Sequence, residues 1–184
     1  NRAIDFYKSN ESELTKPANQ FHLNEAKYLL PVKDFVKIEI SNLDDSLSLK
    51  YYALKTLQDL CKFHINDASP EALIDVDLNR LDFVYTYSRF ELKDSLYLTG
   101  LKTIAENYKS NASSTEAIVR IAKYHKGKSS LYQPLQSNDN KWANKTALEY
   151  AETAVAKYPG SYGAKQSLPL IEDIKRKELV LTSE

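Results

Sequence analysis

Four glycines serve 184 residues, and that scarcity limits the fold more than any motif does. Turns of positive φ lean on glycine, so a turn-rich β fold would need many more. Straight-chain helix formers are plentiful, and apolar residues recur at intervals of three and four in one segment after another. The chain is therefore expected to be all-α. A hydrophobic fraction of 42% with 27% charged residues is that of a folded chain rather than a disordered one. At this length it makes one domain able to bury a core.

Helix signals follow one another along the chain. Ala3, Phe6 and Tyr7 fall at helical spacing in residues 1–9, read as the tail of a helix. Residues 10–24, with Pro17, read as a long loop, and Pro31 opens a short apolar piece to Ile38. Asp44 or Asp45 can cap a helix carrying Leu47, Leu54, Leu57, Cys61 and His64 on one stripe. Ser69-Pro70-Glu71 starts a second, with Ile74, Leu78, Leu81 and Tyr85 in line. Glu91 opens a third with Leu98, Leu101, Ala105 and Tyr108, and the capping-box sequence Ser113-Ser114-Thr115-Glu116 a fourth with Ile118, Ile121, Ala122 and His125. A loop is expected over 126–139. Helix resumes near Lys141 with Leu148, Ala151, Ala154, Val155 and Tyr158, and Tyr158-Pro159-Gly160-Ser161 ends it and caps the last. That last helix holds Ala164, Leu168, Ile171 and Ile174, with a kink expected at Pro169.

Each of these helices is amphipathic, so each needs a neighbour, and pairs joined by short turns predict an irregular array of antiparallel helical hairpins. Ala147, Ala154 and Pro159 match the small–small–Pro spacing of a tetratricopeptide second helix, where small side chains let two helices approach. The expected boundaries are a repeat-like domain over 1–176 and a short strand or linker over 177–184.

Charge and cysteine content exclude several function classes. The 25 basic and 25 acidic side chains cancel, which speaks against nucleic acid as a partner. One cysteine excludes a disulfide scaffold and any multi-thiolate metal site. No apolar run reaches the roughly 20 residues that span a bilayer. Cys61 lies on an apolar stripe and reads as a core thiol. His64, Asp67, Asp75 and Asp77 have no metal-ligand spacing, and Asp77 can pair instead with Arg80 or Lys93. Lys126-Gly127-Lys128-Ser129 lacks the earlier glycine and preceding strand of a phosphate loop, and Gly160 to Gly163 reads as helix termination and capping. No catalytic residue, metal or cofactor is expected. An enzyme reading would require Cys61, His64 and Asp75 or Asp77 to converge across a hairpin.

Thirteen tyrosines offer two readings. Tyr51, Tyr52, Tyr85, Tyr87, Tyr97 and Tyr108 can fill helix seams, the favoured reading, or line a groove for a glycan or peptide, as in helical outer-membrane binding lipoproteins. The sequons at Asn10, Asn111 and Asn144 matter only in a glycosylating secretory pathway.

Two blocks carry a family likeness. One is Leu60-Cys61-Lys62-Phe63-His64 followed by Pro70-Glu71-Ala72-Leu73-Ile74-Asp75-Val76-Asp77-Leu78-Asn79-Arg80-Leu81. The other is Ala147 to Ala154, Tyr158-Pro159-Gly160-Ser161-Tyr162-Gly163-Ala164-Lys165 and Ile171-Glu172-Asp173-Ile174. Together they resemble the N-terminal helical region of bacterial α2-macroglobulin-like proteins. The resemblance implies a non-catalytic scaffold at the front of a larger periplasmic or outer-membrane-associated protein. Its partners would be the neighbouring domains and another envelope protein. The family's thioester sequence is absent, since Cys61 is followed by Lys62 and Phe63, so none of its reactive residues transfers to this chain. Tyr158, Tyr162, Ile171 and Ile174 are the expected inter-domain contact, and Leu179 to Glu184 the expected exit toward a β-sandwich. A start in mid-helix without methionine reads as a piece of a longer protein.

Overall fold

The computed structural model describes residues 2–7, 20–42 and 45–176, and among these stop and start signals set eight α-helices and one 3₁₀ turn. No strand occurs among the described residues, and the protein is all-α. The expected strand or linker at 177–184 lies outside them, as do Asn10, Pro17 and Asp44. Two compact units divide the chain, residues 1–104 and 105–184.

In the first unit, α1 (Arg2–Tyr7) packs on α3 (Leu49–His64), and α3 packs along α4 (Glu71–Tyr87). A 3₁₀ turn at Ala26–Leu29 and the short α2 (Val32–Phe35) pack together, and the turn also meets α4. Pro31 precedes α2, and its carbonyl accepts the Asp34 and Phe35 N–H groups, both at 2.9 Å. Ile4 of α1 is buried, whereas Ala3 and Phe6 are exposed.

Ser48 caps α3 by accepting the Tyr51 N–H at 3.3 Å. Asp45, one of the two expected caps, instead accepts the Phe21 N–H at 2.9 Å and ties that segment down. Leu47 precedes the helix, so it misses the stripe and is 80% exposed. Leu54, Leu57 and Cys61 are fully buried as expected. In front of α4, the Ser69 hydroxyl donates to the Glu71 carboxylate rather than capping a backbone N–H.

Helix α4 is not one-sided. Leu73, Val76, Phe83 and Val84 are buried along with the expected Ile74, Leu78 and Leu81. The reason is its central position: α3, the 3₁₀ turn and α5 (Lys93–Asn107) all pack against it. Helix α5 turns Tyr97, Gly100, Leu101 and Ile104 inward, while Leu98, Ala105 and Tyr108 are only half-buried. Gly100 decides that rotation by letting α5 approach Leu81; a Cβ there would stand 3.0 Å from both Leu81 methyls.

The second unit contains α6 (Ser114–Ser129), α7 (Ala143–Lys157) and α8 (Tyr162–Lys175), each packed on the other two. Ser113 does not form the expected capping box. Asn111 Oδ1 accepts the Ser113 N–H at 2.9 Å, and Thr115 Oγ1 donates to the Ala112 carbonyl at 2.7 Å. Helix α6 continues through 126–129, residues expected in the loop, because one exposed glycine weakens a helix without ending it.

Four alanines, 143, 147, 151 and 154, make the buried stripe of α7, and the larger Leu148, Val155 and Tyr158 are half-buried. A helix packed on two neighbours at once places its smallest side chains where the backbones approach. Gly160, at φ 84°, turns the chain, and Ser161 caps α8 by accepting the Ala164 N–H at 3.2 Å. Gly163, Ala164 and Ser167 are the buried face of α8. Leu168 is 50% exposed and Pro169 sits on the exposed side of an unbroken helix.

Candidate functional site

The polar centre of the first unit grows from two side chains on α3 and α4. Gln58 is fully buried, and its Nε2 donates to the Phe35 carbonyl at 3.0 Å and the Ile38 carbonyl at 2.8 Å. Its Oε1 accepts from Lys55 Nζ at 3.0 Å and Lys62 Nζ at 3.3 Å. Arg80, 1% exposed, donates from Nε at 2.8 Å and Nη2 at 2.6 Å to Asp77 Oδ1. Its Nη1 donates to the Tyr28 carbonyl at 2.6 Å, and the guanidinium lies 4.4 Å from the Phe35 ring centroid. The Tyr28, Phe35 and Ile38 carbonyls are thus satisfied by two long side chains from other helices.

Asp77 therefore pairs with Arg80, while Lys93 donates to the Tyr85 and Ser88 carbonyls at 3.3 and 3.0 Å. Burial raises the Asp77 carboxyl above its ordinary range, against the pull of Arg80. Cys61 lies near this pair; burial, then the Asp77 charge, push its thiol up to about 12, with Arg80 opposing. The neutral thiol is a poor nucleophile at neutral pH. His64 points elsewhere, with Nδ1 2.7 Å from Asp67 Oδ2, and Asp75 is exposed, accepting from Asn79 at 3.2 Å. Cys61 and Asp77 are brought together, and neither His64 nor Asp75 joins them. Among the described residues, no three His, Cys, Asp or Glu side chains could hold one metal ion.

The thiol yields a direct prediction. Native protein at pH 8 should react with a thiol-disulfide reagent no faster than it unfolds, and denatured protein should react at once. A fast native phase would overturn the burial of Cys61. Because the folded thiol titrates near 12 against its ordinary 9.0, the folded chain keeps a proton that the unfolded chain has lost. Stability from this site is complete below about pH 9 and falls as pH rises toward 12.

Two groups hold five of the six candidate tyrosines. Tyr7 stacks on Tyr52 at 5.7 Å, Tyr52 meets Tyr51 edge-on at 5.3 Å, Tyr51 meets Phe21 at 5.6 Å, and Phe21 meets Tyr28 at 6.3 Å. This row runs from the exposed Phe6, 5.6 Å from Tyr7, to the buried Tyr28. Burial, then the Glu25 carboxylate bonded to the Tyr28 hydroxyl at 2.7 Å, raise that phenol well above its ordinary value. In the second group Tyr85 stacks on Tyr97 at 4.3 Å, and the Tyr97 hydroxyl donates to Asp82 at 2.7 Å. Tyr87 lies against Phe83 at 5.1 Å, and Tyr108 is half-buried in the second unit. Of the six, Tyr52 alone is exposed, at 39%.

The four residues expected at an inter-domain contact divide. Tyr158 is half-buried and donates from its hydroxyl to the Lys109 carbonyl at 3.1 Å, within its own unit. Tyr162 is 63% exposed and accepts from Gln166 at 2.7 Å, and Ile171 and Ile174 are half-buried. Sequence reasoning missed Gln58 altogether. Its signal was a polar residue between Leu54, Leu57 and Cys61 on an apolar stripe.

No family model, no curated protein and no solved structure matches the chain.

Proposed function

We propose that this chain is a non-catalytic scaffold and interaction domain of a larger cell-envelope protein, the N-terminal helical part of an α2-macroglobulin-like protein. One observation carries the reading. In the second unit the helices meet through a seam of small residues, Ala143, Ala147, Ala151 and Ala154 on α7 with Gly163 and Ala164 on α8. Such a seam suits a tetratricopeptide-like hairpin array, whose work is done by shape. Support also comes from the first unit, where Cys61, Asp77 and Arg80 are committed to packing and to one another. The exposed Tyr162 and the half-buried Ile174 then present α8 to the next domain. In the parent protein, Tyr162→Ala with Ile174→Ser should let this segment tumble faster by NMR relaxation while its far-UV circular dichroism is unchanged. Independent tumbling of the unsubstituted segment would end the scaffold reading.

A second reading, a glycan- or peptide-binding surface, is favoured by the row Phe6, Tyr7 and Tyr52, which reaches solvent. A ligand there should be lost on Tyr52→Ala.

A further inference from the structure

Charge that cancels over the whole chain does not cancel locally. Residues 123–145 hold five lysines against a single acid, Asp139, while the rest of the chain holds 20 basic and 24 acidic side chains. The same stretch exposes three large apolar side chains, Leu131 at 59%, Leu135 at 101% and Trp142 at 66%. It joins α6 to α7, so the lysines stand on the end of one helix and the beginning of the next.

The connection is built rather than slack. The Gln136 and Ser137 N–H groups both donate to the Gln133 carbonyl, at 3.0 and 3.1 Å. Pro134 therefore takes the second position of a tight turn, where its fixed φ suits it, and Leu135 the third. Ser137 Oγ accepts the Asp139 N–H at 2.9 Å, and Asn140 reverses the chain at φ 60° before Trp142. The ordered backbone thus holds a leucine at the apex of a turn, fully exposed. Lys141 lies over the Trp142 ring at 5.4 Å, and Lys128 over Tyr124 at the same distance. Lys126 pairs with Asp173 at 3.0 Å and Lys145 with Glu149 at 4.0 Å, and Lys123 donates to Gln166 Oε1 at 2.5 Å. Exposed pairs of this kind exchange readily for other anions.

We infer that this connection is a peripheral contact for an anionic lipid bilayer, with Leu131, Leu135 and Trp142 entering the headgroup boundary and the flanking lysines facing lipid phosphates. Leucine and tryptophan between lysines match both parts of that surface, apolar just below and negative at the top. A nucleic acid would satisfy the lysines and leave Leu131 and Leu135 without purpose. The contact is peripheral, and no helix among the described residues is long and apolar enough to cross a membrane. It does not rest on the scaffold reading above.

The test uses the protein's own probe, because Trp142 is its only tryptophan. Emission should move to shorter wavelength on adding vesicles of mixed phosphatidylcholine and phosphatidylglycerol, should be quenched by brominated acyl chains, and should not move with phosphatidylcholine alone. Leu131→Ser with Leu135→Ser should weaken binding at least about tenfold, with circular dichroism unchanged because both side chains are exposed. Lys141→Gln should weaken it about fivefold, and added salt should weaken it further. Three results would overturn the inference: no shift with anionic vesicles, a shift without bromine quenching that heparin or duplex DNA reproduces, or binding indifferent to the leucine pair. The second would assign the lysines to a soluble polyanion instead.

Discussion

Arg80→Ala should lower the stability of the first unit by about 3–5 kcal/mol, the cost of leaving one buried ionic partner alone. Asp77, 4% exposed, would lose both donors, and the Tyr28 carbonyl its 2.6 Å bond. Arg80→Lys should recover little, since one ammonium cannot replace a fork that reaches a carboxylate and a carbonyl at once. Replacing both partners, Arg80→Met with Asp77→Leu, should cost less than Arg80→Ala alone. That variant removes the stranded charge and leaves only the carbonyl unsatisfied, at about 1–3 kcal/mol. Denaturant unfolding, read by amide exchange in α3 and α4, measures all three. A loss below about 1 kcal/mol for Arg80→Ala would show that the pair contributes nothing to the fold.

Gly163→Ala should destabilise the second unit by about 2 kcal/mol or more. A Cβ at this position would stand 2.4 Å from the Thr115 carbonyl carbon and 2.5 Å from its oxygen, a backbone collision that no side-chain rotation relieves. The start of α8 would have to move off α6, breaking the 3.0 Å contact between Ser161 Oγ and Thr115 Oγ1. Overpacking of this kind costs about 1–3 kcal/mol, sometimes more, and exceeds the roughly 1 kcal/mol that alanine gains over glycine in a helix. Gly127 is the control. It also lies in a helix, but an added Cβ meets nothing within 4 Å, so Gly127→Ala should stabilise by about 0.5–1 kcal/mol. Thermal unfolding of the two variants should move in opposite directions. A neutral Gly163→Ala would mean that α8 approaches α6 less closely than described.

Much of the helix punctuation was readable without coordinates, because a start or stop depends on residues within one turn. Pro31, Ser161 and Gly160 act as their chemistry requires. Failures were of a different kind. The expected capping box at Ser113 lost to an Asn111 side chain two residues upstream, and Asp45 was drawn off by the Phe21 amide. In both, a nearby competitor for the same kind of hydrogen bond decided the outcome, and spacing alone does not rank competitors.

Burial was harder to read than helicity. Periodicity names a face, but α4 has three packing partners, and α5 is rotated so that Gly100 rather than Leu98 faces Leu81. Tyr51 and Tyr52 belong to one group and Tyr85, Tyr87 and Tyr97 to another, since ring contacts follow which helices adjoin.

Low glycine, regular apolar spacing and local caps settled by themselves that this is a helical protein with a buried Cys61. Each depends on hydrogen bonds or transfer from water within one helix turn. Tertiary structure alone decided that Gln58 and Arg80 reach carbonyls 20 to 52 residues away. It alone made Gly163 a point of contact inside α8 rather than part of the cap, and set Leu135 at an exposed apex. Those outcomes depend on which backbones meet, and no local pattern carries that information.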